Sequence, residues 1–193
     1  MRRSMLIAVL LTLAALVVGC GPPWQIMRQA TPSPFVGQTK FAVLPVNFTG
    51  LRVGEKDEAG YLSEKDDESK GKWAGDKLGI NTEFTENLIS ESNSNGISVV
   101  PATGPADAPF VVRPAVAWLE PGYYIGIAGS ASKVKMTVQI TAPDGAVLDE
   151  IIIEHSTGPS IQNAAVGTRL REDGENLGKI MAKYLNARVN PEN

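Results

Sequence analysis

The stretch from Ser132 to Ser156 constrains the fold most, because it consists of an alternating run, a turn signal and a second run that returns. In the first run, apolar side chains occupy every second position and polar side chains lie between them; the apolar set is Val134, Met136, Val138 and Ile140. Pro143, Asp144 and Gly145 then favour a tight turn, and a second strand returns over residues 147–154. This pattern predicts a β-hairpin with one face in the core and the other in water.

Two further segments have the spacing of amphipathic helices. Trp73, Ile80, Phe84 and Leu88 fall on one stripe of a helix that is predicted to end within residues 92–96. The same spacing over residues 172–187 predicts a C-terminal helix, and strands are predicted over residues 40–48, 97–101 and 110–118. The order of these elements predicts an α/β (α+β) fold, a two-layer sandwich. It would contain a mixed sheet of about five strands, a long helix after strand 1 and a C-terminal helix.

The N-terminus has the organisation of a bacterial export signal. Arg2 and Arg3 precede an apolar run from Met5 to Val18 that only Thr12 interrupts. The run is shorter than the roughly 20 residues that a membrane-spanning helix requires. A positive segment followed by a short apolar one is typical of a secretory signal peptide.

Val17, Val18 and Gly19 lead directly into Cys20, the only cysteine in the chain. These four residues resemble the lipobox of bacterial lipoproteins. The resemblance implies that signal peptidase recognises Val17, Val18 and Gly19, and that Cys20 becomes the mature N-terminus with a covalent lipid on its sulfur. Gly21, where an aspartate would favour retention at the inner membrane, resembles the class sorted to the outer membrane. An ordinary export signal with an unrelated cysteine is the alternative.

Charge and composition argue against several function classes. The chain has 18 basic and 21 acidic residues, and removal of residues 1–19 takes away two arginines and no acid. A net acidic chain is a poor match for nucleic acid or for anionic lipid. If Cys20 carries a lipid, no thiol is left for disulfides, catalysis or a zinc site.

No catalytic, metal or nucleotide site stands out, so none is predicted and the only expected cofactor is the covalent lipid. His155 is the sole histidine, and no strand–turn–helix nucleophile motif accompanies its neighbouring serines. Gly126 and Gly129 lack the spacing of a phosphate-binding loop. The loop that contains them is instead a candidate partner-binding segment, because it carries the apolar and aromatic residues Tyr123, Tyr124, Ile125 and Ile127.

The strand "FAVLPVNF", the stretch "APFVVRPAV" and the hairpin "VQITAPDGAVL" together resemble a recurring group of bacterial lipoproteins. That group is similar to the N-terminal domain of TolB, to the curli-secretion lipoprotein and to the lipoprotein activators of penicillin-binding proteins. The resemblance covers roughly residues 40–187. It implies their α/β fold and supplies no catalytic residues.

The predicted organisation has four segments: a signal peptide (1–19), a lipidated N-terminus with a proline-rich tether (20–39), a single periplasmic α/β domain (40–188) and a tail (189–193). The tether would reach at most roughly 60 Å, and Trp24, Ile26 and Met27 within it would lie either at the membrane surface or against the domain.

The predicted protein is an outer-membrane-anchored lipoprotein that faces the periplasm. Its non-enzymatic interaction or scaffold domain would act with an envelope protein partner in cell-envelope assembly or maintenance. A lipoprotein hydrolase acting on cell wall or lipid, and a ring-forming secretion component, are the alternatives.

Overall fold

The computed structural model describes residues 21–102 and 108–191, which form one large mixed sheet and two long helices. The strands are β1 (Trp24–Arg28), β2 (Lys40–Val43), β3 (Arg52–Val53), β4 (Lys56–Asp57), β5 (Ser98–Pro101), β6 (Val111–Glu120), β7 (Tyr123–Tyr124), β8 (Gly129–Ser130), β9 (Ser132–Thr141) and β10 (Val147–Thr157). The helices are α1 (Glu58–Ser63), α2 (Asp67–Ser94) and α3 (Val166–Val189).

The main sheet runs in the order β1-β10-β9-β6-β2-β5, with β3 and β4 added beside β6. The first four of these strands are antiparallel neighbours, whereas β2 pairs in parallel with both β6 and β5. The predicted hairpin is confirmed as β9 and β10, and its inward residues, Val134, Met136, Val138 and Ile140, are at most 1% exposed. The α+β class is confirmed, but the sheet has eight strands instead of about five.

Both predicted long helices are confirmed, and they pack over one face of the sheet. The stripe of α2 predicted from spacing is buried throughout, from Trp73 to Leu88. α3 begins at Val166, six residues before the predicted start. It ends at Val189, which is buried, whereas the sequence predicts that the tail starts at this residue. In the described parts of the chain, neither long helix has an apolar stretch suited to crossing a bilayer.

The prediction of a tether over residues 20–39 is wrong from Trp24 onward. Trp24–Arg28 form the edge strand β1, which pairs with β10, and the Trp24 ring packs edge-on against Tyr184 of α3 at 5.4 Å. The following residues cross the end of the domain, where Phe35 is completely buried. Prolines and short polar residues are typical of an extended tether, and they led to that prediction. Burial of the aromatic side chains Trp24 and Phe35 against the domain stabilises the packed conformation instead.

Asp149 fastens this N-terminal segment to the rest of the domain. The carboxylate is fully buried and accepts hydrogen bonds from the Tyr184 hydroxyl (2.5 Å), from Arg188 Nε (2.7 Å) and from the Ala30 amide (2.9 Å). Burial and the bond to Asp149 hold the pKa of Tyr184 well above its usual range, so the phenol remains a donor. Strand β10, helix α3 and the chain after β1 therefore meet at one carboxylate.

Helices α2 and α3 approach closely because α3 presents glycines to α2. A Cβ on Gly178 would lie 2.5 Å from the backbone oxygen of Phe84, and a Cβ on Gly174 would lie 2.8 Å from that of Ile80. Both contacts involve backbone, which cannot move aside as a flexible side chain can. These positions in the interface therefore admit no larger residue without a shift of one helix.

We expect Gly178→Ala to lower the free energy of unfolding by about 1–3 kcal/mol, since overpacking here outweighs the better helix propensity of alanine. Gly75→Ala on α2 is the matched control. Nothing lies within 4 Å of a Cβ at Gly75, so this change should raise stability by up to about 1 kcal/mol. Equilibrium denaturation of both variants measures the difference, and equal effects would contradict the close helix contact.

Candidate functional site

One end of the sheet collects three segments that are far apart in the sequence. We call it the apical end and define it as residues 21–23, the hairpin region 121–131 that contains β7 and β8, and the loop 158–165. The strand register brings these segments together. Trp24 of β1 lies opposite Ile153 of the antiparallel β10, so the residues before Trp24 point toward the end of β10 and the loop that follows it.

The hairpin region belongs to the same end, because it connects the end of β6 to the start of β9. Glu120 lies opposite Lys133, and Ser132 lies opposite Thr157 at the end of β10. Gly129 contacts the ring of Pro159, where an added Cβ would lie 2.7 Å from Cγ. The hairpin and the loop 158–165 therefore touch each other.

The sequence predicts a flexible loop over the hairpin region, but the structure has a short two-stranded hairpin. β7 and β8 pair with Tyr123 opposite Ser130, and the Ile125 amide donates to the Ala128 carbonyl (2.9 Å) across the tip. Gly122 at its base has φ 64°, and a Cβ there would collide with the Ser130 and Ala131 carbonyls. Only glycine fits at this position without strain.

The hairpin tip exposes large apolar side chains. Ile127 is 99% exposed and Ile125 is 69% exposed, and Ile161 in the neighbouring loop is 82% exposed. Of the four residues predicted as a partner site, Tyr123, Ile125 and Ile127 face solvent, whereas Tyr124 is partly buried. Sequence reasoning missed Ile161, because only the fold brings it beside the hairpin.

The segments that form the apical end also contain no acidic or basic side chains. Residues 21–27, 121–132 and 156–168 contain no Asp, Glu, Lys, Arg or His, in a chain of which 20% is charged. Each stretch alone is short, so its lack of charge does not stand out along the sequence. The strand register brings the three stretches together into one surface whose own side chains are uncharged.

Arg169 of α3 holds the base of the apical end from inside. The side chain is completely buried; Nη1 donates to the Ala164 carbonyl (2.7 Å) and the Asn163 carbonyl (3.1 Å), and Nη2 donates to the Pro121 carbonyl (3.2 Å). One guanidinium thus joins the loop 158–165 to the start of the hairpin region. Carbonyl groups from two loops share its charge, which fixes the two loops relative to each other.

Asp173 lies beneath the apical end and ties α3 to the sheet. Its buried carboxylate accepts hydrogen bonds from Ser132 Oγ (2.6 Å) and Thr157 Oγ1 (2.7 Å), and it pairs with His155 Nδ1 (2.8 Å). The serine and threonine hydroxyls donate to the carboxylate and not to the imidazole. This geometry differs from a catalytic triad, in which the serine donates to the histidine.

A cavity lies between α1, α2 and the start of α3, and Ala165 at the end of the loop 158–165 forms part of its wall. It has a volume of about 400 Å³ and is lined by aromatic and basic residues, among them Tyr61, Trp73 and Arg171. Its two lysines are already engaged, Lys72 with Glu68 (2.7 Å) and Lys65 over the Tyr61 ring (4.8 Å). Burial raises the pKa of Asp76 in its wall, although Arg171 opposes the shift. We assign no ligand to this cavity.

The predicted lipidation site lies outside the described residues. This applies to Cys20 and to the recognition residues Val17, Val18 and Gly19. The described chain begins at the next residue, Gly21.

No protein-family model matches the sequence, and no curated protein is significantly similar to it. Among solved structures, the chain is similar to a PelC dodecamer from Paraburkholderia phytofirmans (15% identity, TM-score 0.45, 82% of this chain and 97% of that chain). It is also similar to the hypothetical protein CT253 from Chlamydia trachomatis (12% identity, TM-score 0.45, 76% and 96%) and to a minor lipoprotein from Acinetobacter baumannii (10% identity, TM-score 0.42, 77% and 93%). These similarities assign no function, and the resemblance to the TolB group stays a prediction.

Proposed function

We propose that this protein is a lipid-anchored protein of the bacterial outer membrane whose domain is held directly against the bilayer. From there the domain acts by non-enzymatic contact in assembly or maintenance of the cell envelope. The observation that carries the proposal is the short distance along the chain between Cys20 and the folded domain. A lipobox-like sequence ends at Cys20, and the first strand begins at Trp24.

The chain length between these two residues limits how far the domain can stand from the membrane. Four residues span at most about 14 Å when fully extended. β10 alone has 11 residues and is therefore roughly 36 Å long. The apical end of the domain thus faces the bilayer, and the β9–β10 turn at the other end points away from it, toward proteins of the envelope.

The arrangement around His155 supports a non-enzymatic role. Its Nδ1 is engaged by Asp173, and the hydroxyls of Ser132 and Thr157 donate to the same carboxylate. In residues 21–102 and 108–191, no hydrogen bond joins a serine hydroxyl to the imidazole. A hydrolase of the serine type needs that bond to activate its nucleophile.

The lipid anchor is tested by Cys20→Ala in bacteria grown with radioactive palmitate. We expect the wild type to be labelled and recovered with membranes, and the variant to lose the label completely and to leave the outer-membrane fraction. Ser4→Ala is the matched control, because it lies in the same export signal but outside the lipobox. Labelling that persists in Cys20→Ala would contradict the proposal.

A further inference from the structure

We propose that the apical end is a membrane-docking surface, in which Ile125 and Ile127 of the hairpin and Ile161 of the adjacent loop enter the lipid headgroup layer. This inference depends on the proposed lipid anchor at Cys20. It adds a second, independent contact that fixes how the domain stands on the bilayer. The occupant of this surface is therefore lipid and not a protein.

The exposed apolar side chains at the tip are large enough to contribute measurably to the free energy of membrane binding. Complete burial of one isoleucine side chain is worth about 1.5–3 kcal/mol. The three isoleucines are between 69% and 99% exposed, so nearly all of this free energy is available when they enter lipid. The acyl chains on Cys20 keep the protein on the membrane, and the isoleucines determine which face meets it.

The absence of charge makes entry possible. A charged side chain costs several kcal/mol when it leaves water unpaired, and the apical segments 21–27, 121–132 and 156–168 have no such group. Charged residues border this surface on several sides. Lys133 pairs with Glu154 (3.0 Å), Glu120 accepts a hydrogen bond from the Gly122 amide (3.2 Å), and Glu172 accepts one from Asn163 Nδ2 (3.3 Å). These carboxylates limit the expected depth of entry to the side chains at the tip.

The surface is also rigid before it meets lipid. Arg169 fixes the loops to each other, and the hairpin closes through backbone hydrogen bonds at its tip. Little conformational entropy is therefore lost on docking. A flexible loop with the same isoleucines would have to be ordered first.

The length of the chain favours lipid over a protein partner at this end. Cys20 lies within about 14 Å of Trp24, so the apical end cannot move far from the bilayer surface. A single helix with its side chains is already about 10 Å in diameter. A folded partner would fill almost the whole gap and would have to displace lipid from exposed isoleucines.

The test uses the lipidated protein, purified in detergent and reconstituted into vesicles of phosphatidylethanolamine and phosphatidylglycerol. Because Cys20 is the only cysteine and its sulfur carries the lipid, a new cysteine is the only reactive thiol. Ala128→Cys at the hairpin tip and Ala146→Cys in the β9–β10 turn replace two exposed alanines at opposite ends of the domain. Each is labelled with an environment-sensitive fluorophore, and nitroxide-labelled lipids are added as quenchers.

We expect the lipids to quench most of the fluorescence at position 128, with a blue-shifted emission, and to leave position 146 unchanged. Ile125→Ser combined with Ile127→Ser should abolish most of the quenching at position 128, while unchanged thermal denaturation shows that the fold is intact. Absence of quenching at position 128 would overturn the inference and point to a protein partner.

Quenching that survives both serines would also overturn the inference, because the lipid anchor alone would then set the orientation. The palmitate experiment separates these failures from that of the proposed function. A protein that is labelled on Cys20 but not quenched at position 128 keeps its anchor and loses only the docking surface.

Discussion

Asp149→Ala is expected to lower the free energy of unfolding by about 3–5 kcal/mol, the usual cost of removing one partner of a buried ion pair. The Arg188 side chain is only 13% exposed, so it would remain as a nearly buried charge without its carboxylate. The Tyr184 hydroxyl and the Ala30 amide would lose an acceptor at the same time. Urea denaturation of the mature protein in detergent measures the loss.

Glu154→Ala is the matched control for Asp149→Ala. Glu154 also pairs with a cation, Lys133, but both side chains are well exposed, so we expect a loss of less than about 1 kcal/mol. Because Asp149 holds the chain after β1, its loss should also speed proteolysis between residues 29 and 39. Similar stability losses in the two variants would show that Asp149 does not fasten the N-terminal segment.

Asp173→Ala is expected to cost about 3 kcal/mol or more, since each buried donor left without an acceptor costs about 1–3 kcal/mol. The donors are the hydroxyls of Ser132 and Thr157, and both residues are buried. Asp173→Asn is the informative partner variant. Its amide oxygen can accept from Thr157 and His155, and its NH₂ group can donate to the Ser132 hydroxyl, so we expect a loss of roughly 1 kcal/mol.

His155→Ala separates a structural role of this cluster from a catalytic one. The imidazole is 28% exposed, and its removal leaves the two hydroxyls bound to Asp173. We expect a smaller loss of stability than in Asp173→Ala and no loss of envelope function. Complete loss of function with an intact fold would favour the hydrolase alternative. Thermal denaturation and complementation of a deletion strain measure the two effects.

Local patterns predicted the central elements of the fold. The β9–β10 hairpin and the stripe of α2 follow from the spacing of apolar residues, because burial on one face requires a period of two in a strand and of 3.6 in a helix. The tip residues Tyr123, Ile125 and Ile127 stood out as apolar residues in a glycine-containing connection. These conclusions needed only neighbours along the chain.

Strand β1 and the grouping of distant segments at the apical end could not be predicted in this way. Trp24–Arg28 follow two prolines and have no alternating pattern, because an edge strand with four exposed residues needs little burial. The strand forms because its backbone pairs with the edge of β10 and because the Trp24 ring packs against the Tyr184 ring. Both partners are more than 120 residues away in the sequence.

The sequence alone determined the layered α+β fold class, and it predicts an export signal and a lipid attachment at Cys20, because each of these depends on the order and spacing of nearby residues. Only the tertiary structure decided that the segment after Cys20 is part of the domain. It also placed three uncharged stretches and their exposed isoleucines together at the apical end, where β1 begins. The physical reason is strand register, which brings distant residues to one end of a sheet and which no local pattern contains.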